Sequence, residues 1–147
     1  MLSPGILRGL IFILWLLTAA ANVLAQNSRA SSAASYIERG NAWMAKGEIE
    51  RAIADYDLAI AFDSRIAEAY FDRGLARRQK GDLAGALSDY DRAIVLNPRY
   101  AKAYFKRGVI RYEQGEFDAA ISDFSRVIEI NPRDAQAWTN RGSARGK

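Results

Sequence analysis

Between Ala67 and Leu96, small and apolar positions recur at three- and four-residue spacing in two runs. The first run carries Tyr70, Gly74 and Arg77 on one stripe, and the second carries Leu83, Ala86, Leu87, Tyr90, Ala93, Ile94 and Leu96. This spacing predicts two α-helices, 67–80 and 83–96, because residues three and four apart share a helix face. The breaks between the runs have their own chemistry. Gly81 stands where the first helix must stop in a left-handed turn, and Asp82 after it suits the positive start of the next helix. Asn97 and Pro98 close the pair, since proline cannot continue a helix but can open the next one.

The whole pattern returns. The hexapeptide AYFDRG at 69–74 reappears as AYFKRG at 103–108, with weaker copies SYIERG at 35–40 and AWTNRG at 137–142. Aligning Gly40, Gly74, Gly108 and Gly142 gives three full units, 33–66, 67–100 and 101–134, and a partial fourth, 135–147. Units two and three agree at 16 of 34 positions. A fixed period of that length predicts stacked helix pairs, since one pair cannot bury its apolar face alone. Gly47-Glu48 and Gly115-Glu116 repeat the stop at Gly81-Asp82, and Asn131-Pro132 repeats Asn97-Pro98. Gly74 and Ala86, with their counterparts Gly40, Gly108, Ala52 and Ala120, are expected to let paired helices approach closely beside Tyr56, Tyr90 and Phe124.

Residues 1–25 differ in kind. Arg8 precedes an apolar run from Leu10 to Leu17, and small residues lead to Val23-Leu24-Ala25. That is the order of a secretory signal cleaved after Ala25. The competing reading is an uncleaved anchor, because residues 9–28 carry no charge and about 20 apolar residues can span a bilayer. Both readings place the rest of the chain outside the cytoplasm, in the periplasm or beyond it, either free or held at the inner membrane, because Arg8 stays on the inner side. Residues 26–32 then read as a short polar spacer.

Composition narrows the function. The chain has neither Cys nor His, which removes thiolate chemistry, Cys-ligated metals and the usual general base near neutral pH. The recurring acids Asp55, Asp89 and Asp123, and Glu48, Asp82 and Glu116, fall at equivalent positions. Periodicity gives each set one environment, whereas acid–base catalysis needs two carboxylates in different ones. With no phosphate loop, metal cluster or nucleophile motif, the sequence predicts no enzyme, no cofactor, no metal and no small-molecule substrate. The 21 basic and 17 acidic residues, net charge +4, are mixed along the chain, which argues against nucleic-acid binding.

The spacing of Tyr70, Gly74, Gly81, Ala86, Tyr90, Ala93 and Pro98 resembles the tetratricopeptide repeat, and the leading segment makes the chain similar to exported bacterial members of that family. The resemblance covers residue 33 to about residue 147. It implies an all-α, right-handed solenoid of three helix-turn-helix repeats with a C-terminal capping helix. Polar Thr139, Asn140, Ser143 and Arg145 suit the outer face of such a cap, and a truncated fourth repeat is the alternative. Two departures stand out. The family's aromatic in the first helix is kept as Trp43 but becomes Arg77 and Arg111 in the next units, and the first unit has Ser64 for the final proline, placed to cap the following helix.

Arg39 with Asp55, Arg73 with Asp89, and Arg107 with Asp123 stand 16 residues apart each time. Three pairs in register predict structural ion pairs joining the two helices of each unit, with Arg141 as the free member. The resemblance further implies that the first helices line a concave binding surface. Helical spacing selects Ile37, Asn41 and Met44 from the first unit, then Phe71, Leu75 and Arg78, then Lys102, Phe105, Lys106, Val109 and Tyr112, followed by Gln136, Thr139 and Ser143. An apolar strip with a basic border suits a protein or peptide partner with apolar anchors and acidic residues. The competing reading is that Phe71 and Phe105 pack as core between neighbouring helices. The family's clamp on the doubly charged tail of a chaperone is not expected here. Asn41, Lys102 and Lys106 match part of it, but Ile37 and Asp72 stand where a cation and a second Asn belong, and Asp72 repels a carboxylate. Two other roles remain open: an envelope assembly scaffold tethered to the membrane through residues 9–28, and a structural protein that self-associates by stacking its solenoid ends.

Overall fold

The computed structural model describes the backbone of residues 4–147 and the side chains from residue 13 onward. Seven helices follow one another: α1 (Pro4–Ala45), α2 (Ile49–Phe62), α3 (Ala67–Lys80), α4 (Leu83–Leu96), α5 (Ala101–Glu113), α6 (Phe117–Ile130) and α7 (Ala135–Arg145), with no strand among the described residues. Each helix packs mainly on its neighbours in the chain, and α1 also meets α3 while α5 meets α7. The result is an all-α solenoid of three helix pairs closed by a single last helix, and α3 and α4 have the bounds that the apolar spacing predicts.

The main departure lies at the N-terminus. Residues 26–32, expected as a spacer, lie inside the 42-residue helix α1. No Gly or Pro interrupts residues 10–39, so nothing breaks the helix, and two of its serines bond back to it. The Ser32 hydroxyl donates to the Ser28 carbonyl at 2.9 Å, and the Ser35 hydroxyl to that of Ser32 at 2.8 Å. The side chains of Arg8 and of residues 10–12, part of the expected export signal, lie outside the described residues. Among the described residues no helix is long and apolar enough to cross a membrane.

The turns follow from their residues. Gly47, Gly81 and Gly115 adopt φ of 77°, 90° and 79°, a left-handed conformation that only glycine enters cheaply. Of the three acids that follow, only Asp82 caps a helix with its side chain, accepting the Gly85 N–H at 2.8 Å; Glu48 and Glu116 hold the same position without that bond. Between repeats, the Asn97 and Asn131 side-chain oxygens accept the N–H of Arg99 and Arg133 at 3.0 and 3.3 Å. Asp63 does the same for Arg65 at 3.0 Å. Ser64 therefore does not cap α3, whose N-cap position is held by Ile66.

Inside each repeat a glycine of the first helix faces a ring of the second. A methyl group added at Gly40, Gly74 or Gly108 would lie 2.6, 2.7 or 3.0 Å from a ring carbon of Tyr56, Tyr90 or Phe124, so the absent side chain sets how closely the helices approach. The hydroxyls vary with their surroundings. Tyr56 donates to the Asn41 Oδ1 at 2.6 Å. In the second repeat Leu75 replaces that asparagine, and the buried Tyr90 hydroxyl has no hydrogen-bond partner among the described residues. In the third repeat Val109 faces Phe124, and the hydroxyl is gone.

Candidate functional site

The first helices are fixed to the second by charge. Arg39 donates through Nε and Nη2 to both Asp55 oxygens at 2.7 and 2.6 Å. Arg73 does so to Asp89 at 3.0 and 2.6 Å, and Arg107 to Asp123 at 3.0 and 2.5 Å. All three carboxylates are buried, and the Arg39 hydrogen bonds hold that of Asp55 below the usual carboxylate range. The remaining Nη1 of Arg73 and Arg107 reaches back to Asp57 and Asp91 of the preceding repeat at 2.5 and 2.6 Å. Arg77 and Arg111, which replace the expected aromatic, each add a bond to the same buried aspartate at 2.9 Å. In the first repeat Trp43 keeps the aromatic at that position, and its ring packs under Lys46 and Arg51 at 4.9 Å. Arg141 differs from expectation, because it is not free: its Nη1 meets the Ser125 hydroxyl at 3.3 Å and its guanidinium lies 4.4 Å from the Trp138 ring.

With the helices held this way, α3, α5 and α7 line a continuous groove. One cavity of about 500 Å³ is bordered by Phe71, Lys102, Phe105, Lys106, Asp134 and Gln136. The next, about 490 Å³, shares Phe105, Lys106 and Gln136 and adds Arg78, Val109, Thr139 and Asn140. A third, about 260 Å³, continues past Val109 and Asn140 to Tyr112, Glu113, Phe124 and Ser143.

The expected binding residues divide along this groove. Lys102, Phe105, Lys106, Val109, Tyr112, Gln136, Thr139 and Ser143 lie on it. Phe71 forms part of its wall but is only 6% exposed, packed against Tyr90 and Tyr100 at 5.8 and 5.0 Å between ring centroids. It is core, and so is Ile37. Met44 and Leu75 are half-buried against the cores of their own repeats. Asn41 is engaged by Tyr56, and Arg78 is paired with Glu113 of the next repeat at 2.7 Å. Phe105 stays half-open for a simple reason. It packs on Phe124 at 5.7 Å, but the position matching Tyr100 is Asp134, so the second ring that covers Phe71 is missing. The apolar spacing did not select Asn131, Asp134 or Asn140, which lie at repeat junctions and on the last helix, where only the Tyr100-to-Asp134 exchange signals an opening.

Asp72 lies near the Lys102 end of the groove. Burial pushes its carboxyl up to about 6, Glu68 adds to the rise, and Lys102 opposes it. The folded state therefore favours the neutral acid. Its contribution to stability is fully present below about pH 4, where the unfolded chain also protonates, and is lost as pH rises through about 6. Asp72→Asn is expected to raise stability at pH 8 by roughly 1–2 kcal/mol after allowing for partial exposure, and to give no gain near pH 4. Thermal melts of both chains at the two pH values check this; equal melting at pH 8 would contradict it.

Comparison with known proteins agrees with the geometry. The tetratricopeptide repeat model matches residues 60–101, 71–135 and 105–145, and a second TPR repeat model matches residues 40–77. None of the curated proteins matches the chain. Similar solved structures include the first TPR of Spaghetti (RPAP3) bound to the HSP90 peptide SRMEEVD, at 27% identity and TM-score 0.76, covering 80% of this chain and 93% of that one. The second TPR domain of human RPAP3, in complex with the HSP70 peptide SGPTIEEVD, is 31% identical with TM-score 0.72, covering 83% of this chain and 99% of that one. MamA is 31% identical with TM-score 0.74, covering 78% and 67%. With its 34-residue period, its glycine-faced helix pairs and these matches across most of its length, the chain belongs to the tetratricopeptide repeat family.

Proposed function

We propose that this chain is a protein-interaction module whose groove over α3, α5 and α7 binds an extended acidic segment of a partner protein, anchored by an apolar side chain at Phe105. The observation that carries this reading is the half-open Phe105 between two cavities of about 500 and 490 Å³, with Lys102 and Lys106 beside it. Among the described residues neither lysine forms an ion pair, so both are available to carboxylates. Similar structures with bound SRMEEVD and SGPTIEEVD support an acidic ligand. The environment of Asp72 argues against a doubly charged C-terminal tail, since Glu68 already raises the cost of charge there. Acidic residues within a chain, placed against Lys102 and Lys106, avoid that repulsion.

The test uses fluorescently labelled peptides with an internal Leu or Phe flanked by Glu, beside Lys-substituted versions and SRMEEVD. The acidic internal peptides are expected to bind best. Phe105→Ala should weaken them about 10- to 100-fold, and Lys102→Glu with Lys106→Glu should abolish the preference for acids. Phe71 is unsuitable as a probe, because its removal opens the core. Equal binding of the basic peptides, or binding unchanged by Phe105→Ala, would contradict the reading.

The exposed apolar residues Ile13, Leu14, Trp15, Leu16 and Leu17 of α1 favour a second reading, about place: the segment directs export, and the groove meets its partner outside the cytoplasm. N-terminal sequencing of the protein recovered from its native host is expected to start at Gln26. Recovery of the intact N-terminus from the cytosolic fraction would contradict it.

A further inference from the structure

The ion pairs of this molecule are of two kinds. Arg39–Asp55, Arg73–Asp89 and Arg107–Asp123 recur in register with buried carboxylates, as the contacts of a repeated scaffold do. Arg78–Glu113 does not recur. It joins α3 to α5 at 2.7 Å, with the two side chains 29% and 47% exposed. One repeat earlier the same two positions hold Met44 and Gln79, and one repeat later they hold Tyr112 and Lys147. The frame of helix pairs is thus built elsewhere in the chain without this contact.

Its place is the groove. Arg78 borders the cavity that Phe105 and Lys106 also line, and Glu113 borders the next one. Arg78 is therefore a third cation on the surface that carries Lys102 and Lys106. Among the described residues those two lysines form no ion pair, whereas Arg78 already holds a carboxylate. The buried Tyr90 hydroxyl, which has no hydrogen-bond partner among the described residues, lies within reach of the same charge: burial pushes it up to about 12 and Arg78 opposes the rise. Both groups can donate, and the acceptor that the chain itself supplies to Arg78 is Glu113. A partly exposed pair of this kind contributes little to stability, so a carboxylate arriving on an anchored segment replaces Glu113 at small cost.

We infer that Arg78 is an acid-binding subsite of the groove, and that Glu113 occupies it in the free chain as an internal stand-in for a partner's carboxylate. This rests on the reading of the groove as a site for an acidic segment. On binding, an Asp or Glu of the partner takes the Arg78 guanidinium, whose planar donors suit a carboxylate, and Glu113 turns out to solvent. A neutral side chain at that point leaves the Arg78–Glu113 pair shut and gains nothing. The contact therefore sets specificity by spacing. Along α5, Glu113 lies seven residues beyond Lys106, about 10 Å at the rise of a helix, which an extended segment covers in about three residues. The preferred ligand carries two acids about that far apart, one for the lysines and one for Arg78.

The test titrates the full chain into a labelled peptide with an internal Leu and the pattern Glu-x-x-Glu, beside versions in which either Glu is Gln. Glu113→Gln is expected to tighten the two-Glu peptide about 3- to 10-fold, the share that an internal competitor of modest strength withholds. The gain should vanish for one of the Gln versions, which identifies the acid facing Arg78. Arg78→Gln should weaken the two-Glu peptide to the level of that version, and adding Glu113→Gln in that background should change nothing. Circular dichroism confirms that the variants fold, and neither substitution opens the core, since both side chains are partly exposed. Unchanged affinity with Glu113→Gln overturns the inference, and so does an equal gain in the Arg78→Gln background, which would reduce Glu113 to a general charge effect. Binding that depends on Phe105 but not on Glu113 leaves the groove reading standing without the subsite. A gain with Glu113→Gln that survives Phe105→Ala does the reverse, and no binding by any of these chains overturns both.

Discussion

One buried carboxylate per repeat organises this molecule. Asp55, Asp89 and Asp123 sit between paired helices where water cannot solvate them, and a buried charge is tolerable only when paired and hydrogen-bonded. Arginine answers with a planar fork that covers both oxygens. Because the fork has further donors, Arg73 and Arg107 each use one to reach an aspartate of the preceding repeat. A single side chain therefore joins three consecutive helices. The packing glycine next to it and the left-handed glycine at the turn complete the unit.

The repeats differ where one residue compensates for another. The buried aspartate takes one arginine in the first repeat and gains a second guanidinium, from Arg77 or Arg111, in the next two. The Tyr56 hydroxyl has Asn41; where the asparagine becomes valine, the tyrosine becomes phenylalanine. Only the second repeat is caught between, with Leu75 facing a buried tyrosine hydroxyl. Against this regular frame the groove arises from one irregularity, the exchange of Tyr100 for Asp134, which uncovers Phe105 and places polar groups beside it.

The helices, their turns and the Arg–Asp register were legible in the sequence because a period repeats each signal. Three copies of a 16-residue spacing outweigh what any single pair could say. The character of residues 26–32 was not legible from polarity: a polar run without Gly or Pro continues a helix when a helix precedes and follows it. Nor did spacing separate Phe71 from Phe105, which share a repeat position and differ only in the ring that the next repeat supplies. The links from Arg73 to Asp57 and from Arg107 to Asp91 also recur at 16 residues, but backwards along the chain, between repeats.

The account depends most directly on the Arg73–Asp89 pair carrying real coupling. A double-mutant cycle with Arg73→Ala, Asp89→Ala and the double variant, followed by urea denaturation, measures it. Coupling of about 1–3 kcal/mol is predicted, as for groups within one buried network. Additive losses, with coupling below a few tenths of a kcal/mol, would mean that the repeats are held by apolar packing alone and that the arginine register is incidental.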